Sequence, residues 1–443
     1  AELLHHTQIE FTVNWTDAQT PEFPALTGQF LKTARKQFVN FDQMECRYTQ
    51  PGHARFKGSR ETFDYIILTT DNLVSTITES SFIPWKNALN FRTKIVTITD
   101  PGITAQPGRD LVEQIRNYLR ANYLAWDTRY LLIVGNHANI PMRYCYPNPD
   151  DHSHMPHEPM TIGGDVPTDY LYADMSFAEA DSWDSDGDGF AGEYEQDMPD
   201  FMADIIVGRI PTSQASRVTY TLNKLTAFEQ DTGSWKNNVL HGGVFWYVSN
   251  EDGNGLPAYD GATCMNEMEV DFMEDMTVSH YSEQEGLEVS VFDWPAMSFD
   301  VWTTDWRTGS YGIVNWGAHG SPSGAAQKIW AWDDGDMIPE NSNPNEFEWP
   351  YFISNNANLD DDYLCYFVAF SCLIGCPEPS SYGNIGIDFL TKPGWGPCAA
   401  VLGATRVAYG RGGWPENLGG SESTCYEFNY RIVEGPNGPE PAG

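Results

Sequence analysis

The sequence predicts an α/β fold in which parallel sheets carry helices on both faces. Three observations predict it. Short, near-continuously apolar runs recur along the chain, such as "FDYIILTT", "YLLIVG" and "CYFVAFS", and a strand covered on both faces needs such runs. Segments with apolar residues at helical spacing lie between several of them. With 443 residues, 41% of them apolar and 14% aromatic, the chain can bury the large core this architecture requires.

Residues 1–61 read differently. In "QIEFTVNW", Ile9, Phe11, Val13 and Trp15 fall on one face of an alternating segment, so a short N-terminal β extension is expected. A first subdomain is expected over 62–235, with strands at "FDYIILTT", "TKIVTITD", "YLLIVG" and "DIIVGRIP". Between them, Leu111, Ile115, Tyr118 and Leu119 follow the candidate N-cap Asp110 at helical spacing. Val218, Leu222, Leu225 and Phe228 make one stripe of a helix that starts near Ser213. A second, adjacent subdomain is expected over 236–434, with strands at "VLHGGVFW", "YGIVNW", "CYFVAFS" and "CAAVLGATRVAYG". Residues 435–443, "GPNGPEPAG", read as a Pro/Gly-rich tail. Strands that alternate with helices pair in parallel, and ligands bind in the loops after their carboxyl ends.

Asp and Glu total 62 against 25 Lys and Arg, a formal net charge of −37. Such a surface repels phosphate backbones and anionic lipids, which argues against nucleic-acid and membrane-surface partners, and it attracts cations and basic peptides. No run approaches the roughly 18 apolar residues of a membrane helix, so no membrane insertion is expected. The chain begins at Ala1 rather than Met, contains the sequon Asn14-Trp15-Thr16, and has eight cysteines, enough for two or three bridges. Together these favour a processed protein, secreted or at the cell surface. Nothing in the sequence sets the oligomeric state.

Residues 184–195, "DSDGDGFAGEYE", have metal-ligand spacing. Asp184, Asp186 and Asp188 stand at positions 1, 3 and 5 of a calcium loop, Gly189 at 6, Phe190 at 7 to offer its carbonyl, and Glu195 at 12. Hard oxygen donors favour Ca²⁺ over zinc or copper. The flanking residues lack helical patterning, so an isolated loop is expected rather than an EF-hand, with Asp181 and Glu193 as extra candidate ligands. A solvated acidic loop is the plainer alternative. His152, His154 and His157 in "DDHSHMPHE" form no tetrahedral set, and a solvated loop is the simpler reading of them. "HEPM" has no second histidine at zincin spacing, which argues against a zinc peptidase.

The chemistry-bearing residues end two apolar runs. His319 follows "YGIVNWGA", and Cys372 follows "CYFVAFS". A cysteine nucleophile needs an imidazole beside it and backbone N–H groups for the developing oxyanion. Gly320 and Cys372 itself are candidate donors, and Ala318, Gly320, Ser371 and Gly375 leave room for a peptide. Ser321 and Ser323 lack the nucleophile-elbow spacing. The competing role for Cys372 is a buried thiol or a half-cystine with Cys365, Cys376 or Cys398. Trp395 and Trp414 are candidates for the wall of a substrate cleft or for the core.

The run "YLLIVGNHANIP", the acidic "PTDYLYAD" followed by "DSDGDG", "DIIVGRIPTS", "GAHGS", "FSCLIG" and "VLGATRVAYG" together resemble the gingipain family of cysteine peptidases, relatives of caspases. The likeness runs from about Asp64 to Val433. It implies a caspase-like fold of two side-by-side subdomains, secretion, calcium binding and endopeptidase activity on protein or peptide substrates. By position it makes His319 the catalytic histidine, Cys372 the nucleophile, Gly320 and Cys372 the oxyanion donors, and Asp204 the acid that orients the imidazole. The family's preference for basic side chains agrees with the negative charge. Rival readings on the same fold are a cell-surface transpeptidase and a catalytically silent calcium-bound surface or filament component.

Overall fold

The computed structural model describes residues 61–147, 165–175, 183–197, 199, 203–378, 383–411, 413–415 and 419–435. The expected N-terminal extension up to residue 60, the sequon, His152, His154, His157, Asp181 and the tail from 436 lie outside the described residues. The chain divides into two units, Ala1–Glu61 and Thr62–Gly443. The second contains two parallel sheets.

The first sheet joins β1 (Tyr65–Thr69), β2 (Thr93–Thr97), β3 (Tyr130–Val134) and β4 (Ile206–Ile210) in the order β2-β1-β3-β4, every pair parallel. All five residues of β1 are buried, as its unbroken apolar run requires. Helix α1 (Leu111–Trp126) starts where the Asp110 carboxylate accepts the Glu113 N–H, and it stops at Asp127, whose φ of 58° is left-handed. It buries Val112, Ile115, Tyr118, Leu119 and Tyr123. Helix α2 (Ala215–Gln230) turns Val218, Leu222 and Phe228 inward.

The second sheet is built from β5 (Asn238–Gly243), β8 (Thr277–Ser282), β9 (Ile313–Gly317), β13 (Cys365–Phe370) and β14 (Cys398–Gly403) in the order β8-β5-β9-β13-β14, again all parallel. Between these strands lie β6 (Phe245–Tyr247), β7 (Tyr259–Asp260), α3 (Ala262–Phe272), α4 (Phe299–Thr308), β10 (His319–Ser321), β11 (Gly324–Ala326), β12 (Tyr351–Ser354) and α5 (Ile385–Thr391); α6 (Gly420–Val433) follows the sheet. One face packs an aromatic core. Trp316 of β9 lies 4.3 Å from Phe367 of β13 and 6.3 Å from Trp302 of α4, centroid to centroid. Interlocked rings of this size dominate the burial that holds helix to sheet.

Helix α2 ties this sheet to the first. Its Lys224 is buried, and Nζ donates to the carbonyls of Leu390 and Gly396 at 2.7 and 2.9 Å, while Arg217 meets Asp388 at 2.8 Å. Burial pushes the Lys224 ammonium down to about 8, so the two carbonyls replace its lost water.

Several expectations change. Strand β14 stops at Gly403 rather than running to Gly410, because Ala404 and Arg406 turn to receive the N–H groups of Gly375 and Leu373. Trp395 stacks on Phe389 and Trp414 donates to Ser423, both buried in the core, so neither walls a cleft. The seven described cysteines are free thiols. Cys365 and Cys398 face each other across β13 and β14 at 3.8 Å, and Cys376 donates to Glu378, which leaves Cys372 apart from all three. Among the described residues no helix is long and apolar enough to cross a membrane.

Candidate active site

Three parallel strands finish level with one another: Gly317 at the end of β9 is in register with Gly243 of β5 and with Phe370 of β13. The next residues on β9 and β13 therefore emerge side by side at the carboxyl edge. Ala318 and His319 follow Gly317; Ser371 and Cys372 follow Phe370. The buried Ser371 hydroxyl donates to the Ala318 carbonyl at 2.8 Å and accepts from the Trp316 indole at 2.9 Å. That bond pins the two strand ends together. Gly320 completes the approach. A Cβ there would lie 2.3 Å from the Cys372 carbonyl oxygen and 3.0 Å from its nitrogen, so only glycine lets the two backbones meet. Beyond the thiol, Leu373 takes a left-handed φ of 65°, the sharp turn that leaves Cys372 at the rim.

Cys372 and His319 line the same cavity of about 680 Å³. The Ala408 N–H points at Sγ from 3.4 Å, and the N–H groups of Cys372 and Gly320 also act on the sulfur. Burial pushes the thiol up and outweighs these three donors, so the resting sulfur keeps its proton. The Leu373 N–H binds the Arg406 carbonyl, and the Arg406 guanidinium meets Glu378 at 2.6 Å, which holds the segment carrying Ala408 against the thiol. Neither Ala408 nor Ser371 had a sequence signal beyond small size.

The His319 imidazole sits between Trp246 and Trp349, its centroid 4.7 Å from the latter, and its Nε2 lies 3.0 Å from the Trp246 carbonyl. A carbonyl only accepts, so the proton sits on Nε2 and Nδ1 keeps its lone pair. Burial drives the imidazole down to about 4, against the opposing pull of that carbonyl. The ring is therefore a neutral base at pH 7. kcat/KM is expected to fall on the acid side only as the pH nears 4; an acid limb at the ordinary value of 6.5 would mean a solvated ring. The same proton favours unfolding, because the folded value is the depressed one. The stability this group contributes is complete above pH 6.5 and is lost as the pH falls through 4.

A model of peptidase family C25 matches residues 59–435. The chain belongs to this family. Membership in the gingipain family makes it a cysteine peptidase, which implies a protein substrate. Its α/β architecture is shared with the crystal structure of the Arg specific cysteine proteinase gingipain R (RGPB), at 12% identity and a TM-score of 0.54, over 86% of this chain and 70% of that one. The complex of Porphyromonas gingivalis RgpB pro- and mature domains gives 12% identity and a TM-score of 0.52, over 84% and 68% of the two chains. None of the curated proteins matches.

In this C25 peptidase Asp204 is not beside the histidine. It precedes β4 and so lies at the amino end of its strand, whereas His319 and Cys372 follow the carboxyl ends of theirs. Its Oδ2 accepts the Met175 N–H at 2.7 Å, and its charge acts on Arg116 and Arg120 of α1. The group that orients the imidazole is the Trp246 main-chain carbonyl. No side-chain pattern could have announced it.

The acidic loop of the peptidase gathers Asp184, Asp186 and Asp188 so that one oxygen of each lies within 4.8 Å of the others. Gly187 and Gly189 take φ values of 79° and 100°, and Asp188 accepts the Phe190 N–H at 2.8 Å. Glu195 does not join them. Its φ of 64° turns the exposed side chain to solvent, and Asp197 closes the loop instead by accepting the N–H groups of Ser185 and Glu193. Asp184 also pairs with Arg109. Three hard carboxylates fit a calcium ion; the bidentate twelfth ligand is missing from this arrangement. Sequence reading missed a second acidic region, where Asp334 groups with Asp333 and Glu346 and with Asp336 and Glu340. The spacing in "WDDGDMIPE" was the available signal.

Proposed function

We propose that this C25 peptidase is a secreted, calcium-stabilised endopeptidase that cleaves peptide bonds through Cys372 and His319. One observation carries the reading: a thiol and a neutral imidazole, delivered by strands in register, line one cavity with backbone N–H groups of Gly320 and Cys372 at the sulfur. Both side chains are uncharged at rest. Attack on the scissile carbonyl therefore moves the Sγ proton to the free Nδ1 of His319 as the S–C bond forms. The Gly320 and Cys372 N–H groups receive the oxyanion. The imidazolium gives its proton to the departing amine, the C–N bond breaks, and water hydrolyses the acyl-enzyme with His319 as base.

Asp184, Asp186 and Asp188 would hold the calcium ion, whose charge offsets the repulsion among three carboxylates and so fixes the loop. Peptide cleavage and thermal unfolding, each followed with calcium and with a chelator, test both halves. At calcium a hundredfold above Kd the gain is about 2.7 kcal/mol, a rise of a few degrees in Tm. Asp186→Asn is expected to remove that rise. Absence of peptide cleavage with calcium present would remove the endopeptidase reading; an unchanged Tm would remove the calcium site alone.

A further inference from the structure

We propose that the cavity beside Cys372 receives a large uncharged side chain, aromatic or branched aliphatic, from the residue whose carbonyl is attacked. The inference rests on the Cys372 and His319 reading and adds a substrate class to it. Its walls are Trp246, Tyr247, Leu256, Tyr259, Val407 and Tyr409, and among the described residues no Asp, Glu, Lys or Arg side chain lines it. At about 680 Å³ it is large enough for an aromatic ring. An arginine or lysine entering it would give up its water with no counter-ion on the wall, a large penalty in a low-dielectric site. The overall charge of −37 attracts basic peptides to the surface but supplies nothing inside this cavity.

Two acids of the elements around the cavity are engaged elsewhere. Glu251 is buried, paired with Lys328, and accepts the Val248 N–H at 3.2 Å. Asp260 accepts the Ala262 N–H at 2.9 Å and the Ser290 hydroxyl, which turns it away. Glu422 lies behind Gly410. A Cβ on that glycine would sit 2.3 Å from the Tyr259 hydroxyl and 2.6 Å from Glu422 Oε1, so the wall at Gly410 is backbone in direct approach to both. Oε1 already accepts the Arg411 N–H at 3.2 Å, and burial pushes this carboxyl up, toward its neutral form. Glu422 is thus the acid that would have to answer a cation, and it is not among the residues that line the cavity.

The test uses the whole chain with calcium and four peptidyl acyloxymethyl ketones that differ only in the residue next to the warhead: Phe, Leu, Arg or Lys. Mass spectrometry follows Cys372. Labelling by the Phe and Leu probes is expected to be at least tenfold faster than by Arg and Lys. Equal or faster labelling by Arg or Lys overturns this inference and leaves the nucleophile in place. No labelling by any probe overturns the Cys372 reading and this inference with it. Val407→Asp, which sets a carboxylate on the wall, is expected to narrow or reverse the preference; an unchanged preference in a folded variant would show that the side chain binds elsewhere and overturn the proposal.

Discussion

Cys372→Ala is expected to abolish peptide hydrolysis, with a loss of roughly 10⁴-fold or more, while the thermal midpoint stays near that of the parent. The chemical half of this expectation follows from the mechanism: the acyl-enzyme needs a nucleophile, and the imidazole has nothing to deprotonate once the sulfur is gone. The structural half follows from position. Cys372 is only half-buried, at a strand end whose anchoring comes from the Ser371 hydroxyl and from the Leu373 and Gly375 N–H groups, none of which the substitution touches. His319→Ala is expected to lose activity to a comparable degree, and the double variant to lose no more than either alone, because groups that act as one unit are not additive. A peptidyl chloromethylketone is expected to alkylate the parent at Cys372 and to leave Cys372→Ala unmodified. Retained hydrolysis in Cys372→Ala, measured at matched folded fraction, would remove the assignment.

The same positions explain how much was legible beforehand. Buried strands β1, β3, β9 and β13 announce themselves because both faces are covered, so a polar residue enters the run only where it finds partners, as Asn315 of β9 does in His241 and Asn429. Helix α1 announces its start because a carboxylate at Asp110 has a backbone N–H to satisfy. Strand β8 was missed. It lies at the sheet edge, where four of its six residues are only half-buried, and so reads "TVSHYS", a pattern with no apolar run. The overshoot on β14 has the opposite cause: Val407, Ala408, Tyr409 and Gly410 lack charge because they line the cavity, not because they are strand. Chemistry-bearing side chains at strand ends could be located from the sequence, since His319 and Cys372 each close an apolar run. Their orienting partner could not, because a main-chain carbonyl has no residue type. Asp204 shows the resulting error: an acid was sought where the fold uses a peptide bond. Glu195 shows a second one: the loop gathers Asp184, Asp186 and Asp188, and the left-handed backbone at Glu195 leaves the fourth carboxylate outside the group.

Gly320→Ala is expected to lower kcat/KM by about 100-fold or more, chiefly through kcat, and to destabilise the fold by about 1–3 kcal/mol. The added Cβ would stand 2.3 Å from the Cys372 carbonyl oxygen, 2.8 Å from Ser371 Cβ and 3.0 Å from the Cys372 nitrogen. Two of these three atoms are backbone, which cannot swing aside as a flexible side chain would. Relief to an ordinary contact of 3.4 Å or more therefore separates the His319 segment from the Cys372 turn by about 1 Å, at the place where the Ser371 hydroxyl ties them. A shift of that size misplaces the imidazole relative to the thiol and moves the Gly320 N–H off the oxyanion position, each a loss of about 10²-fold. The control is the same substitution at Gly208 of β4, where a Cβ meets nothing within 4 Å and the backbone is not left-handed. Gly208→Ala is expected to keep kcat/KM within about twofold of the parent. Parent-like kinetics in Gly320→Ala would mean that the two backbones are not in contact in the working enzyme, and the oxyanion role of Gly320 would fall with that contact.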